Sequence, residues 1–287
     1  MVMYNRSMAA LDSWDFFLSS IPDYRLKIGE TKISTKQWKL IQITFFNIIA
    51  QISASMNVFY QPDFPDNLEL SGEEFLHCVK VLRHREKDII QVTNGNGAMF
   101  KASIEKVLKK SLTLNILEKI TQPPRPFATH LYIAPTKNLD RMEWLVEKAA
   151  EISVTSITFI KTENSERKVI KLDRLEKKSI SALKQSRSAW KLKINALVTF
   201  EKATENLKGI SFLGFLGPDL PPLANIPLKA NQVNLFIGPE GDFAQWEVDL
   251  GSKLNIKPVN LGPSVLRTET AGLLACHTVL LRQTHMI

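Results

Sequence analysis

After residue 128, short apolar runs alternate with segments of helical period, and this alternation constrains the fold more than any other feature. "THLYIAP" (129–135) reads as a strand and "LDRMEWLVEKAAEI" (139–152) as a helix. In that helix Leu139, Met142, Leu145, Val146, Ala149 and Ile152 share one stripe. "VTSITFI" (154–160) is again a strand, and a second, basic helix is predicted from about Lys171 to Ala189. Strands at "ISFLGFLG" (210–217), "QVNLFIG" (232–238) and "PVNLG" (258–262) follow, with helices at "AQWEVDLGSKL" (244–254) and from Thr268. Strand–helix alternation requires crossover connections, so the expected fold is α/β: a parallel sheet with helices on both faces.

A different pattern precedes it. "SGEEFLHCVKVLRH" offers Ser71 as an N-cap with acids in the first turn. Two apolar runs then flank Asn94-Gly95-Asn96-Gly97, a hairpin signal because Asn-Gly tolerates positive φ. "SLTLNILEKI" (111–120) alternates as a further strand, giving a small β-rich module. "TQPPRPF" (121–127) marks a boundary, since its prolines can neither donate to a ladder nor enter a helix interior. The expected divisions are 1–55, 56–122 and 123–287. In the first, Lys32, Lys36 and Lys39 precede "LIQITFFNIIA" (40–50) and "QISAS" (51–55), in the order of a signal peptide. The apolar part begins late and contains Gln42, Thr44 and Asn47, so an extension ahead of a functional start at Met56 is the preferred reading.

The formal net charge is +8, which favours a polyanionic partner, nucleic acid first. Eleven Lys/Arg and four Asp/Glu lie between Lys161 and Lys193, so that window alone carries +7. It is either a solvated helix face or a surface that touches phosphates, with Arg167, Lys168, Lys171, Arg174, Lys178 and Arg187 as candidates. Arg83 and Arg85 add a second patch on the small module. The two cysteines, Cys78 and Cys276, sit in regular apolar contexts. They read as buried small hydrophobes in a reducing, cytoplasmic setting, with no disulfide framework or metal site. No segment reads as a membrane span.

Three apolar strands run into Gly217, Gly238 and Gly262, each followed by proline. Gly-Pro can simply end a strand. Three such turns at successive strand ends can also form one rim of stiff loops with exposed backbone groups, where ligands of open α/β sheets bind. Neither G-x-G-x-x-G nor G-x-x-x-x-G-K-[ST] is present, and Glu240 would repel phosphate. A nucleoside without phosphates, such as S-adenosylmethionine, suits the rim better. Thr268 is the expected N-cap of the last helix, with Glu269 in its first turn and Arg267 beside the rim. His77 is assigned to the small module, and His277 is expected to pack within the last helix.

"FIGPEGDF" (236–243) followed by "LGPSVLRTETA" (261–271) resembles the signature of the 16S ribosomal RNA uridine-N3 methyltransferases of the trefoil-knot (SPOUT) superfamily. The resemblance extends through "RMEWLVEKAAEI", "SERK" (165–168), "ALKQS" (182–186), "HCVKVLRHREKD" and "NGNG", over about 56–287. It implies a knotted C-terminal domain, a PUA-like RNA-binding β-barrel ahead of it, a homodimer, and ribosomal RNA or the small ribosomal subunit as partner. It further implies that S-adenosylmethionine lies against Leu216, Gly217, Ile237, Gly238, Pro239, Glu240, Gly241, Leu261, Gly262, Val265 and Leu266. The RNA contacts expected are Arg83, Arg85, Lys137, Arg141, Arg167, Lys168, Lys171, Gln185 and Arg187. Ser264 stands where many members carry Arg, and Asp242 where glycine is common.

Methylating N3 of uridine requires a base presented unpaired, removal of its proton, and alignment of N3 with the methyl group. Arg267 is expected to hold a uridine oxygen; Glu269 or Glu240 either accepts the proton or only orders a loop, and His77 and His277 are weaker candidates. The alternatives are a methyltransferase of this architecture acting on another RNA site and a non-catalytic RNA-binding module.

Overall fold

The computed structural model describes residues 57–217 and 219–284. The expectations for residues 1–55 and for the Gly217-Pro218 turn's proline lie outside the described residues.

The first sheet has five strands in the order β1-β3-β4-β5-β2. These are β1 (Val58–Tyr60), β2 (Glu69–Ser71), β3 (Ile89–Thr93), β4 (Ala98–Val107) and β5 (Ser111–Thr121). The Asn94–Gly97 loop joins β3 and β4 as an antiparallel hairpin, with Gly95 and Gly97 both at positive φ. Two register shifts, at Lys101/Ala102 and Ile104/Lys106, interrupt the β4–β5 pairing and curl the sheet. Phe59, Phe64, Phe100, Ile104 and Leu112 fill its interior. Helix α1 (Gly72–Leu76) continues as a π-helical turn, His77–Val81. Ser71 occupies the N-cap, but its side chain makes no capping hydrogen bond.

The second sheet has six strands, all parallel, in the order β11-β9-β10-β6-β7-β8. They are β6 (Ala128–Ile133), β7 (Ser156–Lys161), β8 (Lys193–Thr199), β9 (Ile210–Gly214), β10 (Gln232–Ile237) and β11 (Ile256–Val259). Strand β8 escaped the sequence reading because it is an edge strand with no fully buried residue, so it lacks the apolar run that marks the others. Strand β11 begins earlier than "PVNLG" and ends at Val259, before the glycine.

Alternation along the strands builds two cores. Leu131, Ile133, Ile157, Phe159, Leu235 and Ile237 face α2 (Leu139–Glu151), α3 (Leu172–Ser186) and α6 (Thr268–Gln283). Tyr132, Ile160, Leu213 and Phe236 face α4 (Phe200–Ala203) and α5 (Gln245–Lys253). Tyr132 and Phe236 are register partners on β6 and β10, and their rings stack at 4.5 Å. Truncating a buried leucine such as Leu235 to alanine costs about 2–5 kcal/mol. Gly272 lets α6 lie close on the sheet, since a Cβ there would meet Ile133 Cδ1 at 2.9 Å.

Candidate active site at the strand ends

The carboxyl ends of β9, β10 and β11 lie side by side in the parallel sheet, the edge at which such sheets bind ligands. A cleft opens there, walled by the three loops that follow those strands. The loop after β10 contributes Gly238, Pro239, Glu240 and Asp242. The loop after β11 contributes Asn260 to Gly262 and Ser264 to Leu266, and α6 closes the floor with Thr268 and Ala271. From β9 come Gly214, Phe215 and Leu216, while Ile237 ends β10.

Of the three expected Gly-Pro turns, those at Gly238 and Gly262 reach the cleft. Gly217 and Gly241 do not line the cleft. Gly241 backs onto Asn164, whose Cβ lies 3.3 Å from where a Gly241 Cβ would be. The glycine packed against the opposing loop is Gly214, where a Cβ would meet Leu261 Cδ1 at 2.9 Å. The sequence reading missed it because Gly214 lies inside the apolar run. It also missed Asn260, whose Oδ1 accepts from Gly262 N at 2.7 Å and turns the third loop. Asp242 adopts φ +58°, a left-handed conformation that glycine takes freely and aspartate tolerates. Its carboxylate accepts from Phe243 N at 2.8 Å and Leu216 N at 3.4 Å, tying two cleft loops together.

A buttress stands behind the second loop. Asn164 Nδ2 donates to Gly241 O (3.1 Å) and Asp242 O (3.0 Å). Glu247, fully buried, accepts from Glu163 N at 3.0 Å and from Ala244 N at 2.9 Å. Burial pushes its carboxyl above the usual range, against those two hydrogen bonds. Arg167 donates to the carbonyls of Thr136 and Lys137 and so braces the loop leading into α2.

Helix α6 begins one residue earlier in role than expected. Arg267, not Thr268, is its N-cap, and Thr268 is the first helical residue. Arg267 is exposed and outside the cleft lining, whereas Glu269 is buried, with Oε2 lacking a hydrogen-bond partner. Glu240 is exposed at the cleft edge. Burial, then the nearby Lys184, pushes His77 below its ordinary value. His277 is exposed on α6 rather than packed, because it falls on that helix's outer face.

The cationic window divides. Arg174 pairs with Asp140 and Glu143, Lys178 with Glu147, and Lys191 with Glu176. Lys177 and Lys184 reach across to Glu73 and Glu74 of the small module. Much of the helix charge thus holds elements together instead of facing outward. Lys137 pairs with Glu166. Lys168 and Lys171 are exposed and form no ion pair with another described residue; Gln185, Arg187, Arg83 and Arg85 are exposed as well. Cys78 and Cys276 are free and buried, each thiol pushed up to about 12 by burial. Among the described residues there is no cluster suited to a metal ion and no helix long and apolar enough to cross a membrane.

Residues 123–280 match the RNA methyltransferase domain family. This chain belongs to that family. Residues 70–117 match the RNA methyltransferase PUA domain, which takes in most of the curled sheet but not β1. The chain is 30% identical over 222 residues to ribosomal RNA small subunit methyltransferase E of Buchnera aphidicola, covering 72% of this chain and 84% of that one. A probable rRNA-methyltransferase from Porphyromonas gingivalis superposes with a TM-score of 0.75 at 34% identity, over 80% of this chain and all of that one. A methyltransferase from Legionella pneumophila, solved with bound SAM, gives 0.71 at 30% identity, over 79% of this chain and 98% of that one.

Proposed function

We propose that this RNA methyltransferase transfers a methyl group from S-adenosylmethionine to N3 of a specific uridine in small-subunit ribosomal RNA. The observation that carries the proposal is the cleft at the ends of β9, β10 and β11, in which three loops present backbone groups and two carboxylates, Glu240 and Asp242. Those residues fit the donor. Leu261, Leu266 and Ile237 offer apolar walls to an adenine ring, and backbone groups can read its edge. The carboxylates suit a cationic ligand and repel a phosphorylated one. The bound SAM of the Legionella relative supports the same assignment.

When bound, S-adenosylmethionine would supply an electrophilic methyl group on a sulfonium centre, whose sulfur would keep the S–C bonding pair and leave as a neutral thioether. The chain's own residues must remove the N3 proton and steady the charge that grows on the uracil oxygens. Glu269, buried beside the cleft, takes the proton on its unpartnered Oε2, and N3 keeps the electron pair that forms the new N–C bond. Arg267 faces solvent at the start of α6, where a flipped base would arrive, and donates to a uracil oxygen. Lys168 and Lys171, with Arg83 and Arg85 on the PUA domain, contact phosphates. A homodimer, a cytoplasmic location, a trefoil knot in the last strands, and divisions at 56–122 and 123–287 belong to the same reading. For the knot alone, the strand order lends support: β10 is inserted between β9 and β6, and α6 packs on β10 and β6.

The deciding experiment incubates the full chain with labelled S-adenosylmethionine and RNA from cells lacking the gene. Label in small-subunit RNA as N3-methyluridine is expected. Label in transfer RNA or another nucleoside moves the substrate assignment, and RNA binding without transfer makes the chain a binding module.

A further inference from the structure

Arg141 lies in the first turn of α2. Its guanidinium sits between carboxylates from two other elements, Nη1 at 3.9 Å from Glu240 Oε1 and Nε at 3.7 Å from Glu269 Oε1. Glu240 lines the cleft at the strand ends. Glu269, together with Arg141, Trp144 and Thr270, lines a second cavity beside it. Arg141 therefore stands in the wall between the two spaces. From these contacts we infer that Arg141 is a positioning residue of the methyl-transfer site, holding Glu240 and Glu269 across that wall, and not an anchor for RNA phosphate. The inference rests on the function proposed above.

Three observations carry it. Arg141 stands against two carboxylates, Glu240 and Glu269, while Asp140 in the same cavity is held by Arg174, so the charge of Arg141 is already matched before a phosphate approaches. The second is topological. Glu240 rides on the loop after β10 and Glu269 on α6; a side chain from a third element can fix their spacing, and the five N–H donors of a guanidinium can serve both at once. Finally, both contacts are longer than hydrogen bonds, and Glu269 Oε2 is buried with no partner. Catalytic contacts are commonly long without substrate and tighten in the reacting complex, and a buried acceptor left unpaired is a place a ligand donor can fill.

The test compares full-length Arg141→Gln and Arg141→Lys with the parent. It reads the single-turnover rate at saturating RNA and donor, the KM for the donor, the salt slope of RNA binding and the melting temperature. Arg141→Gln is expected to lower the rate at saturating donor and RNA about tenfold or more while leaving the salt slope unchanged. Arg141→Lys, which keeps a charge but loses the fork, recovers part of the rate. A salt slope that falls by about one with an unchanged saturated rate assigns Arg141 to RNA phosphate and overturns the inference. A rate loss that follows melting temperature in both variants makes the residue merely structural and also overturns it. A parent chain that transfers no methyl group fails the proposed function instead; the salt slope of the variants then still decides whether Arg141 anchors phosphate.

Discussion

Glu247 shows how one buried side chain can organise the cleft. Its two oxygens hold the backbone of Glu163 and Ala244, which fixes the loop after β7 against the loop after β10. Glutamine at this position keeps the volume but turns one acceptor into a donor facing an N–H. Glu247→Gln should cost about 1–3 kcal/mol. The pH dependence has a definite sign. Burial raises the native carboxyl above its ordinary value of 4.5, so the folded state binds its proton more tightly than the unfolded chain does. This contribution to stability is complete below 4.5 and is lost as pH rises through the raised native value. The melting-temperature gap between parent and Glu247→Gln should therefore be wider near pH 4 than near pH 8; a gap that widens with pH would refute the assignment. Asp242 was legible as a departure from a glycine pattern, but its role was not. A carboxylate that accepts from Phe243 N and Leu216 N can be seen only once two distant loops meet.

Among the elements, the loop Thr162–Lys168 has the most consequences for the site. It carries Asn164 against the carbonyls of Gly241 and Asp242 and Arg167 against those of Thr136 and Lys137. Asn164→Ala should loosen the Gly238–Asp242 loop and raise the dissociation constant for S-adenosylmethionine about tenfold, by calorimetry, with little change in melting temperature. Unchanged affinity would make the contact incidental. Helix α3 corrects the sequence reading most. Its charge was plain, but the acids that face it lie about 30 residues away on α2 and about 100 away on α1. Net charge in a window counts ions, not their partners. Lys168 and Lys171 face outward instead. Removing either should reduce the salt slope of RNA binding by about one, whereas an unchanged slope would assign it to solvent.

At the scale of the whole molecule, the Asn94–Gly97 turn does more than join two strands. Gly97 N donates to Ala189 O at 2.8 Å, and Lys191 N to Gly95 O at 2.9 Å, so the tip of the hairpin pairs with the segment after α3. Trp190 Nε1 bonds the carbonyls of Gln122 and Pro123 in the connection between the sheets. Gly97 has φ +89°, and a Cβ there would lie inside the Trp190 indole. With Lys184–Glu74 at 2.6 Å, these contacts dock the PUA domain on α3 and the segment that follows it. Gly97→Ala should cost about 1–3 kcal/mol from backbone strain alone and expose the 122–127 connection to protease. A variant as resistant as the parent would show that the docking does not depend on this turn.

Two layers of information separate cleanly. Period and turn chemistry are local, so the parallel α/β sheet, the Asn-Gly hairpin and the glycine turns after β10 and β11 were legible in the chain itself. The two motifs fall together on one cleft wall for the same reason: loops at strand ends are short, and their residues stay close together. Only tertiary structure decided that Arg141 faces two carboxylates, that Gly214 rather than Gly217 meets the opposing loop, and that the cations of α3 bind acids. Each depends on residues far apart in sequence, brought together by the parallel stacking of β9, β10 and β11 and by the docking of two sheets.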